Sequence, residues 1–259
     1  MEKLFEEMKK RKSVTADLAP ELRQLIGWNR KEIFHVHTWR CGHAGDYEDR
    51  DYVIQAIGLG VEKITFTDHA PFPGDPFGNR MRMEQLPEYI ASMKKLKDEY
   101  DGRIEIVAGL EIEYMPSFTE HYKTLRRTEG LECLLLGQHV YEIAPGAYNF
   151  SLLPEEKNRR EMYGCGQAMI EGIKSGMFDD VAHPDRIFRR RKVWDDDMEK
   201  IAVGIIDAAV QMRIPLEVNE SSVAAKYYFW PQFWEIAVEK RAAIVYGVDA
   251  HCPDELKVL

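Results

Sequence analysis

Eight histidines stand in this chain: His35, His37, His43, His69, His121, His139, His183 and His251. Seven of them fall at or just past the end of an expected β-strand, and only His121 falls inside an expected helix. His35 and His37 are two residues apart, so on a strand both side chains point to one face. Asp249 and His251 repeat that spacing at the end of the last expected strand, and Glu111 lies on the third, placed to bridge. Imidazoles and carboxylates are the donors expected for zinc, manganese or iron. A lone histidine at a strand end is ordinarily a hydrogen-bonded core or surface residue. Seven of them converging with Glu111 and Asp249 would repel or compete unless cations held them together. The expected ligands are therefore His35, His37, His43, His69, Glu111, His139, His183, Asp249 and His251, and His121 is left as a surface residue. Asp68 and Asp185 each adjoin one of these, either as acceptors that orient an imidazole or as solvent-facing acids. Cys41 and Cys252 are expected to pack beside the site without serving as nucleophiles.

The elements that must position these groups alternate along the chain. Strands are expected at 33–38, 63–69, 104–114, 133–140, 180–183, 215–219 and 242–249. Helices are expected at 47–59, 86–100, 118–128, 155–175, 195–212 and 232–240. Alternating β and α units make a parallel sheet with helices packed outside it. Seven units in one domain favour a barrel, where functional groups sit on the loops after the strand C-termini. Residues 1–30 read as a helical preface, with Asp17 a candidate cap before 18–26. The domain proper is expected over 31–259.

Of the 259 residues, 45% are apolar and 31% charged, as in an ordinary globular protein. No apolar run reaches 18 residues, so no transmembrane helix is expected. Met1–Lys12 is charged throughout, which argues against a secretory leader. A net charge of −9 leaves no general basic face for nucleic acid. The four cysteines, Cys41, Cys133, Cys165 and Cys252, form no C-x-x-C pair and read as reduced thiols of a cytoplasmic protein.

The pieces HVHT at 35–38, His43, TDH at 67–69, GLE at 109–111, QH at 138–139, AHPD at 182–185 and GVDAH at 247–251 together resemble the PHP superfamily, named for polymerase and histidinol phosphatase. TWRCGHAG, ITFTDHAPFPG, GLEIEY, LEVNES and VYGVDAHCP resemble its histidinol-phosphatase branch. The resemblance implies a distorted seven-stranded TIM-like (β/α)7 barrel of PHP type with two or three divalent ions, zinc, manganese or iron. One ion would take His35, His37, Glu111 and Asp249. A second would share Glu111 and add His139 and His183, and a third would take His43, His69 and His251. Glu111, Asp249 and His251 would take part in catalysis directly. The implied enzyme is a metal-dependent phosphoesterase of histidine biosynthesis that hydrolyses L-histidinol phosphate by attack of a metal-bridging hydroxide.

Candidate substrate contacts are Arg159, Arg160, Arg186, Arg190 and Asn219, because arginine pairs well with phosphate. The aromatic stretch 227–234 is either a pocket wall or helix packing. The expected partner is a small phosphorylated metabolite, with neither nucleic acid nor membrane. Alternatives are a PHP enzyme for another phosphomonoester, nucleotide or phosphodiester, and a non-catalytic metal- or ligand-binding domain. An amidohydrolase-like barrel would typically need a metal-bridging lysine, and no lysine falls at a strand end here.

Overall fold

Short runs rich in Ile, Val, Phe and Thr, such as KITFTDH at 63–69 and EIVAGLEI at 105–112, form strands that are buried along nearly all their length. Burial on both faces is what a parallel sheet under helices demands. The computed structural model describes residues 31–225 and 229–258; the expected preface over 1–30, with its cap at Asp17, lies outside the described residues.

Nine strands are present among the described residues: β1 (Glu32–Val36), β2 (Lys63–His69), β3 (Glu105–Ile112), β4 (Cys133–Leu136), β5 (Glu142–Ala144), β6 (Ala147–Tyr148), β7 (Asp180–Val181), β8 (Leu216–Asn219) and β9 (Ile244–Gly247). Seven of them form one parallel sheet in the order β1-β2-β3-β4-β7-β8-β9. The two edges of this sheet meet. Val248 N donates to Phe34 O (2.9 Å), Ala250 N to His35 O (3.2 Å) and His37 N to Ala250 O (2.8 Å), closing the barrel along a seam at the C-terminal ends of β1 and β9. β5 and β6 form a separate antiparallel hairpin that the sequence reading missed. Strands of two and three residues are too short to reveal alternation.

Helices cover the outside: α1 (Asp49–Gly58), α2 (Leu86–Glu99), α3 (Thr119–Arg127), α4 (Pro154–Ser175), α5 (Asp196–Met212), α6 (Glu220–Ala225) and α7 (Pro231–Glu239). Their ends carry ordinary signals. Pro154 opens α4 and Gly176, at φ 68°, ends it. Asp195 caps α5 by accepting from Met198 N at 3.0 Å. The apolar faces of α1 to α5 and α7 meet the outer face of the sheet in one continuous core.

His121 corrects the sequence reading. It lies on α3 but faces inward, packs against Phe72 at 5.8 Å between ring centroids, and bonds through Nε2 to Pro71 O at 2.8 Å. A polar ring on the buried stripe of an amphipathic helix is stable once its N–H finds a carbonyl.

Inside the barrel, strand alternation stacks the side chains in layers. Phe34, Leu135, Ala182 and Val245 form an apolar plug. Below it, at the N-terminal ends of the strands, Glu32, Lys63, Glu105 and Asp180 surround a floor cavity of about 370 Å³. Burial there pushes the Asp180 carboxyl well above its usual range, with the charge of Glu217 adding to the effect. Its Oδ1 has no hydrogen-bond partner.

Candidate metal centre

Four strands stop earlier than expected, and of the seven histidines only His35 and His69 lie within a strand. β1 ends at Val36, β4 at Leu136, β7 at Val181 and β9 at Gly247, each two to four residues before the end expected from sequence. At three of the expected ligand positions at or near these ends the backbone takes positive φ: His35 at 70°, His183 at 29° and Asp249 at 52°. Such angles cost roughly 1–3 kcal/mol each for residues other than glycine and cluster where function requires them. At His35 the pairing of β1 with β2 slips between Phe34 and Val36. His35 and His37 therefore meet through a bulge rather than by the simple two-residue alternation of a strand.

The result is a tight donor set at the open end of the barrel. His35 Nε2 and His37 Nε2 lie 3.0 Å apart. Glu111 Oε2 is 3.3 and 3.4 Å from these two nitrogens. Asp249 Oδ1 is 3.7 and 3.2 Å from them. On the other side of Glu111, Oε1 lies 3.0 Å from His183 Nε2 and 3.6 Å from His139 Nε2. His69 Nδ1 lies 3.1 Å from Glu111 Oε2 but makes no hydrogen bond. The His43 ring lies between His69 and His251, 5.3 and 4.6 Å from them by centroid. His43 Nε2 and His251 Nε2 face each other at 2.8 Å.

Five of these rings have their outward nitrogen already engaged. His35 Nδ1 bonds Glu217 Oε1 at 2.6 Å, His37 Nδ1 bonds Cys41 Sγ at 3.1 Å and His139 Nδ1 bonds Glu113 Oε1 at 3.2 Å. His43 Nδ1 donates to Cys41 O at 3.2 Å and His251 Nδ1 to Asp249 O at 2.9 Å. A proton held on Nδ1 leaves an Nε2 lone pair turned toward the centre. Two such lone pairs facing at 2.8–3.0 Å would repel unless a proton or an ion lay between them.

Sequence reasoning missed the carboxylates behind the rings. Glu217 is fully buried and accepts three bonds: from His35 Nδ1, from His183 N at 2.9 Å and from Asn219 Nδ2 at 3.1 Å. Glu113 forms a two-pronged pair with Arg80, at 2.9 and 3.1 Å, besides holding His139. Both were visible in principle, Glu113 two residues from Glu111 within GLEIEY and Glu217 within LEVNES. Two glycines make room. A Cβ at Gly137 would stand 1.8 Å from Glu111 Oε1, and one at Gly247 would stand 1.6 Å from Glu217 Oε1.

Burial alone would push the Glu111 carboxyl up. His69, His139 and His35 outweigh it and hold Glu111 well below the usual range. Asp249 is lowered against burial in the same way, by His35 and His37. Burial pulls the His35 ring down, but Glu217, Asp249 and Glu111 outweigh that and hold it well above the usual histidine value. Burial dominates at His37 and His69, which are lowered, and at His139, pushed down to about 4.

The two aspartates correct the reading made from sequence, because both are buried and neither touches an imidazole. Asp68 accepts from Thr38 N and Thr38 Oγ1, both at 2.6 Å, and from Cys41 Sγ at 3.0 Å. Asp185 accepts from Trp230 N at 2.7 Å and Trp234 Nε1 at 3.1 Å, which ties the described part of the aromatic stretch into the fold as packing. The Cys41 thiol is pushed well up by burial and by the Asp68 charge, as befits an inert thiol. All four cysteines are free.

A cavity of about 500 Å³ opens over the centre, lined by His43, His69, His139, Asp249 and His251 with Arg80 and Arg186 on its wall. Of the other candidate substrate contacts, Arg190 pairs with Glu161 away from this cavity. Asn219 is buried and bonded to Glu217 and Ser222. Arg160 is exposed outside the lining, and the Arg159 side chain lies outside the described residues.

The donor set fits divalent ions. Four donors about 2.0–2.1 Å from a tetrahedral ion are roughly 3.3–3.4 Å from one another. The separations of 3.0–3.7 Å among His35, His37, Glu111 and Asp249 bracket that value. Glu111 Oε1 and His69 Nδ1 are buried without hydrogen-bond partners, as donor atoms left for ions would be.

A parallel (β/α) barrel with this donor set at its mouth is a divalent-metal hydrolase. The chain belongs to the PHP domain family, whose model matches residues 34–221. It is 32% identical over 234 residues to the "Probable histidinol-phosphatase" of Deinococcus radiodurans, covering 86% of each chain. It is 26% identical over 254 residues to the histidinol-phosphatase of Bacillus subtilis, covering 86% of this chain and 94% of that one. The fold matches the histidinol phosphate phosphatase of Lactococcus lactis, solved with zinc, L-histidinol and phosphate, with a TM-score of 0.67, 21% identity, and coverage of 86% and 87% of the two chains.

Proposed function

We propose that this protein hydrolyses L-histidinol phosphate to L-histidinol and phosphate at a centre of two or three zinc, manganese or iron ions. The observation that carries the reading is Glu111, whose two oxygens face different donor groups, His35 and His37 on one side and His139 and His183 on the other. One carboxylate shared in this way suits paired ions. The substrate follows from the names of the relatives that align over most of both chains.

His35, His37, Glu111 and Asp249 would hold one ion. Glu111, His139 and His183 would hold a second, and His43, His69 and His251 a third. Bound ions supply Lewis-acid chemistry, activating water and taking up charge on phosphate oxygens. The chain's own contribution is position and charge. Glu217 and Glu113 fix the rings of His35 and His139, and the Glu113–Arg80 pair holds one wall of the cavity. Arg186, on the same cavity wall, would meet phosphate.

The test is metal analysis of purified protein beside phosphate release from a matched panel of phosphate esters. Two to three ions per chain, with L-histidinol phosphate hydrolysed fastest, is the expected result. A nucleotide turned over faster would remove the substrate assignment. Little metal, not restored by zinc, manganese or iron, would remove the centre itself.

A further inference from the structure

We infer that Cys41 is a positioning residue for His37, its thiol fixing that imidazole with Nε2 toward the metal centre. The inference rests on the metal reading of the site. Structural histidine ligands usually lean on a carboxylate, a carbonyl or water, as His35 does on Glu217 and His139 on Glu113. His37 has no such partner. Its Nδ1 meets Cys41 Sγ at 3.1 Å. The sulfur donates its own proton to Asp68 Oδ1 at 3.0 Å, so it stands as an acceptor toward the ring. Nδ1 therefore carries the proton, and the Nε2 lone pair faces His35, Glu111 and Asp249.

The chain continues outward and is pinned at each step. Asp68 receives Thr38 N and Thr38 Oγ1 at 2.6 Å each. Thr38 Oγ1 receives Arg40 Nη1 at 2.9 Å. The Arg40 guanidinium is locked by Asp49 on α1, at 2.7 and 2.8 Å, and by Glu88 on α2, at 2.8 and 2.9 Å. His37, Thr38, Cys41 and Asp68 are wholly buried and Arg40 nearly so. The loop after β1 is thereby tied to two helices, and the tie ends on a ligand nitrogen. The rival reading is an ion held among His37 Nδ1, Cys41 Sγ and Asp68, whose donor atoms lie within 4.8 Å of one another. It would need the sulfur proton removed from a carboxylate that already takes two further bonds.

The experiment is zinc titration of the purified protein against a chromophoric chelator, for wild type, Cys41→Ala and Cys41→Ser. Loss of an orienting partner weakens metal affinity about 10–100-fold. That loss is expected in Cys41→Ala for the tightest zinc step, with an unchanged number of ions at saturation. Cys41→Ser is expected to stay close to wild type, because a hydroxyl both accepts from Nδ1–H and donates to Asp68. Wild-type affinity in Cys41→Ala overturns the inference, and so does a saturating count lower by one, which would make Cys41 itself a ligand. If Cys41→Ala does not fold, Asp68→Asn tests the same chain one step out. It is expected to weaken the same zinc step, and unchanged affinity there overturns the inference. A wild type that takes up no zinc fails the metal reading instead, so the two failures are distinguishable.

Discussion

At the scale of single residues, the centre depends on groups that never face its interior. Glu217 shows why chemistry as well as shape matters. Its two oxygens receive an imidazole N–H, a main-chain N–H and an amide N–H. A glutamine of the same size offers one acceptor and turns an N–H toward a donor. Glu217→Gln is therefore expected to weaken zinc binding about 10–100-fold, read by chelator competition, while far-UV circular dichroism stays that of the wild type. Unchanged affinity would show that His35 holds its orientation without Glu217. The bond from His183 N also has a steric role. It holds that residue at φ 29° just before Pro184, a conformation with little intrinsic preference.

At the scale of elements, the periods of the sequence revealed where strands and helices lie but not where they stop. Alternation identifies a strand only while the chain stays extended. His37, His139 and His251 lie past that point, where bulges, turns and positive φ take over. The histidines at strand ends were legible because residue type and position coincide there. Glu113 and Glu217 were not, because an acid inside a strand reads like any polar residue until its partner across the barrel is known. The floor of the barrel was equally hidden. There Asp180 is buried, unpartnered at Oδ1 and raised well above its usual range, mainly by burial. A raised carboxyl binds its proton more tightly in the folded state, so stability falls as pH climbs from the unfolded value of about 3.8 toward the folded one. Asp180→Asn removes that penalty. It is expected to melt higher than wild type at neutral pH, with the difference shrinking toward zero near pH 4. A difference that does not change with pH would mean that Asp180 carries no such cost.

At the scale of the whole molecule, the seven barrel strands expected from alternation are present in one parallel sheet, and among the described residues no helix is long and apolar enough to cross a membrane. The barrel is closed where the first and last strands of its sheet meet. Three hydrogen bonds join the segment after β9 to β1, made by Val248 N, Ala250 N and His37 N. The same two segments carry His35, His37, Asp249 and His251. Under the proposed assignment, an ion held by His35, His37 and Asp249 would clasp the two margins of the barrel and act as a fastener as well as a cofactor. Ligand binding to the folded state alone raises its stability, and here the gain should concentrate at the join. Stripping the metal is expected to speed amide hydrogen exchange at Val248, Ala250 and His37 more than at the β4–β7 pairing on the other side of the barrel. Equal acceleration at both places would mean that the ions stabilise the fold evenly. Unequal acceleration would mean that losing metal opens the barrel first along one line, exposing the margins of β1 and β9 as free edges able to pair with another chain.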